Sequence, residues 1–172
     1  VLLNDINPDL VNTISSFDAV AEPVTARNKN GILKVTKAKN PNLGFVAEPE
    51  EIDDEKLDSI INSNRVPVIA PMGLDDNNQV YNINADTAAG TIAIKIKAER
   101  LLLMTDVPGV KDKKGSYISK LTILEAQQLI DNQTITGGMI PKIQTCISAI
   151  KNGVGGVAVS YTHLTLPTTS SV

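Results

Sequence analysis

Three blocks of the chain carry residue types and spacings capable of chemistry. The first, Tyr81-Asn82-Ile83-Asn84-Ala85-Asp86-Thr87-Ala88-Ala89, sets two carboxamides one residue apart and a carboxylate two residues beyond. Asn is a poor strand and helix former, so Asn82 and Asn84 cost stability unless a turn or a ligand uses their amides. An extended backbone puts both side chains on one face. Asp86 has two readings that spacing leaves open: it caps the helix that follows, or it takes part in chemistry. The second block, Thr105-Asp106-Val107-Pro108-Gly109, closes an apolar run. The third, Thr134-Ile135-Thr136-Gly137-Gly138-Met139-Ile140-Pro141-Lys142, places paired glycines ahead of a helical pattern. Free N–H groups at such a start, with the positive end of the dipole, make an anion site. Lys142 alone reads as a solvated lysine; beside that site it becomes a candidate.

The elements that position these blocks follow from apolar periodicity. Val66-Pro67-Val68-Ile69-Ala70, closed by Pro71-Met72-Gly73, and Leu101-Leu102-Leu103-Met104 read as strands buried on both faces, the parallel-sheet signature. A helix over residues 86–98 between them makes a βαβ unit of nearly fixed handedness, and ligands of such sheets sit at the carboxyl ends of the strands. The Asn-rich turn and the Thr-Asp turn both fall on that edge. The spacing predicts strands near 66–70, 101–105 and 154–158, and helices near 86–98, 122–131 and 140–152. Lys111-Asp112-Lys113-Lys114-Gly115-Ser116 is a polar turn, and Thr122 with Glu125 forms a capping box. Ile140, Ile143, Ile147 and Ile150 repeat at helical spacing until Gly153.

Upstream, a loop from Val1 feeds a helix with Pro8 in its first turn and Leu10, Val11 and Ile14 on one face. Ala19-Val20-Ala21 and Ile32-Leu33-Lys34-Val35 read as strands on either side of a hairpin-type turn at Asn28-Lys29-Asn30-Gly31. Arg27 and Lys29 in that turn read as solvated. Ile52, Leu57, Ile60 and Ile61 mark a helix with carboxylates at its start, the favourable sign for its dipole.

The string Tyr-Asn-Ile-Asn-Ala-Asp-x-Ala-Ala, then Leu-Leu-Met-Thr-Asp-Val-Pro-Gly-Val, then Gly-Gly-Met-Ile-Pro-Lys resembles the acetylglutamate kinases of the amino-acid kinase family in order and spacing. The resemblance runs from Val1 to Val157. It implies an α/β fold, a three-layer αβα sandwich with a mostly parallel sheet, incomplete here. It also implies a partial substrate lobe at 1–65 and a nucleotide lobe at 66–158. The implied activity is transfer of a phosphoryl group from ATP, with Mg2+, to the side-chain carboxylate of N-acetyl-L-glutamate, in arginine biosynthesis. Carried over residue by residue, Asp86 and Lys142 are catalytic. Asn82, Asn84 and Ala85 bind substrate. Thr105, Asp106, Val107, Pro108, Gly109, Val110, Lys111, Ile135, Thr136, Gly137, Gly138 and Met139 bind nucleotide. No residue is assigned to hold a metal. Leu43-Gly44-Phe45-Val46 with Glu48 matches the family's pattern with Ala47 in place of a glycine, and the region around Val24–Lys29 has no clean match.

The family's glycine-rich first strand, a second lysine and a substrate arginine would precede Val1. Residues 159–172 resemble a translated sequencing adapter and are expected to be a non-native, poorly packed tail. On this reading the chain is truncated at both ends and shows no measurable turnover alone, and the full-length protein is a homo-oligomer.

A chain of 172 residues with a net charge of −3 can bury one sizeable core and offers no strongly basic nucleic-acid surface. No apolar run approaches a membrane span, and no signal segment opens the chain, so the expected location is cytoplasmic. The lone cysteine, Cys146, excludes an internal disulfide and reads as core. Two other classes remain: a non-catalytic nucleotide-binding or regulatory module of the same fold, and a dinucleotide-binding oxidoreductase. The absence of a Gly-x-Gly-x-x-Gly after a strand counts against the second.

Overall fold

The computed structural model describes residues 1–26, 31–38, 44–107 and 109–161, so the hairpin turn expected around Asn28–Asn30, with Arg27 and Lys29, and Leu43 lie outside the described residues. The chain divides after Ile92 into two units, Val1–Ile92 and Ala93–Val172. The division falls inside a helix.

In the first unit, residues 1–6 form no open loop. A π-helical turn, Leu2–Ile6, leads into α1 (Asn7–Ser15), with Pro8 in its first turn where a missing N–H costs nothing. Asn7 is buried and donates from Nδ2 to the Val68 carbonyl at 2.8 Å, fixing α1 against the strand that carries Val68. That strand, β4 (Val66–Ile69), runs parallel to β1 (Ala21–Val24), which begins where the expected strand at 19–21 ends.

A second sheet has the order β3-β2-β5-β6, built from β2 (Leu33–Lys37), β3 (Ala47–Ile52), β5 (Met72–Leu74) and β6 (Val80–Asn82). The β2–β3 and β5–β6 pairs are antiparallel and β2–β5 is parallel. Ile52 belongs to β3 rather than to a helix. The next helix, α2 (Asp54–Asn62), starts after Asp53, whose carboxylate accepts from the Lys56 N–H at 3.1 Å. That backbone hydrogen bond, opposed by some desolvation, holds the Asp53 carboxyl below its usual range. Pro71-Met72-Gly73 is not simply a turn, because Met72 and Gly73 lie in β5. A Cβ on Gly73 would come within 2.3 Å of Val35 Cγ1 and 2.8 Å of the Leu33 carbonyl oxygen. The core gathers Val24, Ile32, Leu33, Leu57, Tyr81 and Ile83, among others.

The helix α3 (Ala85–Lys95) ends three residues short of the expected boundary. Lys97 takes a left-handed φ of 49°. Its N–H donates to Ile94 at 3.1 Å, and the Ala98 N–H donates to Ala93 at 2.8 Å. This bond pair is a Schellman closure, here with lysine where glycine is usual, which is why no stop signal shows in the sequence.

In the second unit, β7 (Leu101–Thr105) pairs in parallel with β8 (Val157–Tyr161). The ladders thus join β4 to β1 and β7 to β8. Leu101 and Leu103 are buried while Leu102 is 60% exposed, so β7 faces the core on one side only. An unbroken apolar run carries no periodicity and cannot distinguish one buried face from two.

The last strand starts later than residue 154. Gly155 passes close to the preceding loop, its N–H donating to Ala98 at 3.0 Å, and a Cβ there would lie 2.7 Å from the Glu99 carbonyl oxygen. β8 also continues into the segment expected to be a poorly packed tail, and Val159 packs on the apolar cluster of Val110, Ala126, Ile135, Ile143 and Ile147. Residues 162–172 lie outside the described part.

The box at Thr122 and Glu125 opens α4 (Ile123–Asp131) as expected. Then α5 (Met139–Lys151) buries Ile143 and Ile147. Cys146 is half-buried and lines an apolar cavity of about 620 Å³, so it is not a sealed core residue.

Candidate functional site

In the first unit the alternation around Tyr81 settles which face the asparagines occupy. Tyr81 and Ile83 are buried, and Asn82 and Asn84 are exposed. The Asn82 N–H donates to the Phe45 carbonyl at 2.8 Å, and the Ile83 N–H donates to Pro71 at 2.9 Å. Phe45 also meets the Tyr81 ring, with centroids 5.9 Å apart. The backbone under Asn82 is therefore pinned from both sides while its side chain is presented outward. Asn82 lines a cavity of about 330 Å³ with Met72 and Leu2–Asn4.

Asn84, not Asp86, caps α3. Its Oδ1 accepts from the Thr87 N–H at 3.1 Å, and its carbonyl accepts from Ala88 at 2.9 Å. Ala85 and Asp86 stand inside the first turn, Asp86 half-buried and suited in sign to the helix start. Register explains the difference: a cap must precede the first helical residue, and α3 begins one residue before Asp86.

In the second unit, Thr105 ends β7 and is buried. Its hydroxyl donates to Asp106 Oδ1 and accepts from the Val107 N–H, each at 3.4 Å. Val107, Gly109, Val110 and Lys111 share the wall of a cavity of about 300 Å³ with Ile135, Thr136 and Met139. Segments some 25 residues apart in sequence thus converge on one cavity. Thr105, Asp106, Gly137 and Gly138 are not in that wall, and Pro108 lies outside the described residues. Tyr117 is in the wall, although the sequence marks its surroundings only as a polar turn.

The start of α5 differs from the expected row of free donors. The Met139 and Ile140 N–H groups reach back to Thr136 and Gly137 at 3.3 and 3.2 Å, and Pro141 has no N–H. Gly137 takes φ +57°, and Gly138 caps the helix without a side chain. What the start does offer is charge: the first turn carries Lys142 and no acidic residue. The half-buried Lys142 donates from Nζ to the Met104 carbonyl at 3.4 Å, which sets it at the carboxyl end of β7. Asn82, Asn84, Ala85 and Asp86 belong to the first unit, and Lys142 with the cavity to the second.

The chain belongs to the amino acid kinase family, whose sequence model matches residues 11–159. It has the α/β fold of that family, with mixed and mostly parallel ladders. It is 44% identical over 158 residues to the acetylglutamate kinase of Pelagibacter ubique (strain HTCC1062), covering 92% of this chain and 54% of that one. It is 45% identical over 170 residues to the acetylglutamate kinase of Bartonella bacilliformis (strain ATCC 35685 / KC583 / Herrer 020/F12,63), covering 92% and 56%. The chain thus spans about half the length of these relatives. Among solved structures it superimposes on smu.665 from Streptococcus mutans UA159 with a TM-score of 0.85 and 27% identity, covering 92% of this chain and 64% of that one.

Proposed function

We propose that the protein transfers the γ-phosphoryl group of ATP to the side-chain carboxylate of N-acetyl-L-glutamate, in the cytoplasm and as a step of arginine biosynthesis. A carboxylate oxygen forms a bond to the γ-phosphorus as the bond to the β,γ-bridging oxygen breaks, giving an acyl phosphate and ADP. Such a transfer needs positioning and positive charge more than covalent help. The observation that carries the reading is Lys142 Nζ at the Met104 carbonyl, which holds a cation at the carboxyl end of β7. A cation in the first turn of a helix opposes the dipole, an arrangement that suits an anionic ligand.

In this reading Lys142 stabilises charge on the leaving oxygen, Asp86 orients lysine groups, and Asn82 and Asn84 face the acetylglutamate. Val107–Lys111 with Ile135–Met139 receive the nucleotide. Thr105 and Asp106 belong to the nucleotide site in this reading, and Mg2+ would arrive with the phosphates and neutralise part of their charge.

The experiment joins residues 1–158 to the flanking segments of the Pelagibacter ubique acetylglutamate kinase and traps the acyl phosphate with hydroxylamine. The expected result is hydroxamate that requires both ATP and N-acetyl-L-glutamate. A folded chimera that binds ATP and forms none would instead favour the non-catalytic nucleotide-binding module.

A further inference from the structure

We infer that Tyr117 is a base-recognition residue, its ring forming the stacking wall for a nucleobase in the cavity beside Val107–Lys111. The inference rests on the nucleotide reading above and assigns a residue that reading lacks.

A short hairpin fixes the ring. Lys111 and Tyr117 face each other across an antiparallel bridge, flanked by hydrogen bonds from Ile118 N–H to Val110 and from Asp112 N–H to Ser116, both 2.8 Å. The Asp112 carboxylate closes the turn by accepting from the Lys114 and Ser116 N–H groups at 2.8 and 2.9 Å. Gly115 supplies the left-handed residue, with φ +84°. So built, the hairpin carries the ring into the wall of the 300 Å³ cavity while leaving Tyr117 51% exposed.

The chemistry of that wall selects a flat, weakly polar group. Val107, Val110, Ile135 and Met139 are apolar, and Thr136 offers a hydroxyl. The volume lies at the lower end for small-molecule sites, enough for a ring system rather than a bulky chain. Lys111 Nζ sits 5.0 Å from the Tyr117 ring centroid, a cation–π contact. A ring polarised by a cation is a good partner for an electron-rich base, and Lys111 lines the same cavity, so its ammonium adds positive charge beside the base. Aromatic wall and neighbouring cation together match a base joined to an anion.

The test is calorimetric titration of the full chain with ADP and, separately, with inorganic tripolyphosphate, which has the charge but no base. Tyr117→Leu keeps apolar bulk on the hairpin and Tyr117→Phe keeps the ring. Tyr117→Leu should weaken ADP roughly tenfold and leave tripolyphosphate unchanged, as loss of one stacking partner predicts. Tyr117→Phe should bind ADP like the parent, and Lys111→Met should weaken both ligands. ADP binding by Tyr117→Leu within twofold of the parent would overturn the assignment, as would equal weakening of both ligands. Absence of ADP binding by the parent would instead defeat the nucleotide reading itself, and this inference with it.

Discussion

Lys142 reaches across 38 residues of sequence to donate to the Met104 carbonyl at 3.4 Å. The contact ties the first turn of α5 to the carboxyl end of β7 and points a cation where a helix dipole alone would reject one. Lys142→Met should therefore leave the fold intact, with a thermal midpoint equal to or above the parent's. In the flanked chimera it should lower kcat by about two to three decades, the usual loss for one charge-stabilising donor, with KM for ATP little changed. Steady-state kinetics checks this, and near-parental kcat would show that the charge is supplied elsewhere.

Asn84 carries two roles that substitution can separate. Asn84→Ala removes the acceptor for the Thr87 N–H and should cost about 1 kcal/mol in urea unfolding. Asn84→Asp keeps the cap and should hold parental stability. If the amide also meets acetylglutamate, Asn84→Asp in the chimera should raise KM for that substrate, because a second carboxylate would face an anionic ligand. Unchanged KM in Asn84→Asp would confine Asn84 to capping.

Gly73→Ala tests the tightest approach in the first unit. The added methyl would fall 2.3 Å from Val35 Cγ1 and 2.8 Å from the Leu33 carbonyl oxygen, so β2 and β5 cannot keep their spacing. Overpacking of this kind costs about 1–3 kcal/mol. Denaturant titration should show a lower midpoint.

The α4 cap gives a pH dependence with a definite sign. The Thr122 N–H, then its hydroxyl, hold the Glu125 carboxyl below the usual glutamate range. A lowered folded pKa means stabilisation that is present above the unfolded pKa and lost as pH falls through the folded value. Glu125→Gln should therefore be less stable than the parent near neutrality, and the gap should close on the acid side of the glutamate range. Thr122→Ala should cost about 1 kcal/mol at neutral pH. Melting curves across pH check both, and a gap that widened in acid would contradict the cap geometry.

The second unit is the more readable in sequence. The Thr122/Glu125 box states its helix start outright, and Ile143 and Ile147 carry the buried face of α5 as their spacing indicates. The segments that assemble the cavity wall declare themselves through the family pattern rather than through periodicity. β3 stays hidden because Glu48, Pro49, Glu50 and Glu51 look like a loop. On the edge of its sheet, such charges and a proline are tolerated, and they discourage pairing with another chain. Tyr117 is missed for another reason: a polar turn gives no sign of what the residue after it faces once Asp112 has folded the chain back.

The alternation at Tyr81–Asn84 has a consequence for how this stretch can change over time. Buried and exposed positions follow each other one by one from Tyr81 to the cap of α3. Inserting or deleting one residue there would turn Tyr81 or Ile83 outward and drive an amide into the core. The turn at Asp75–Gln79 faces no such parity constraint, since Asp75 closes it from outside the ladder by accepting from the Asn77 and Gln79 N–H groups. A change of length is therefore tolerated in that turn, whereas in Tyr81–Asn84 it would exchange the buried and exposed faces at a stroke.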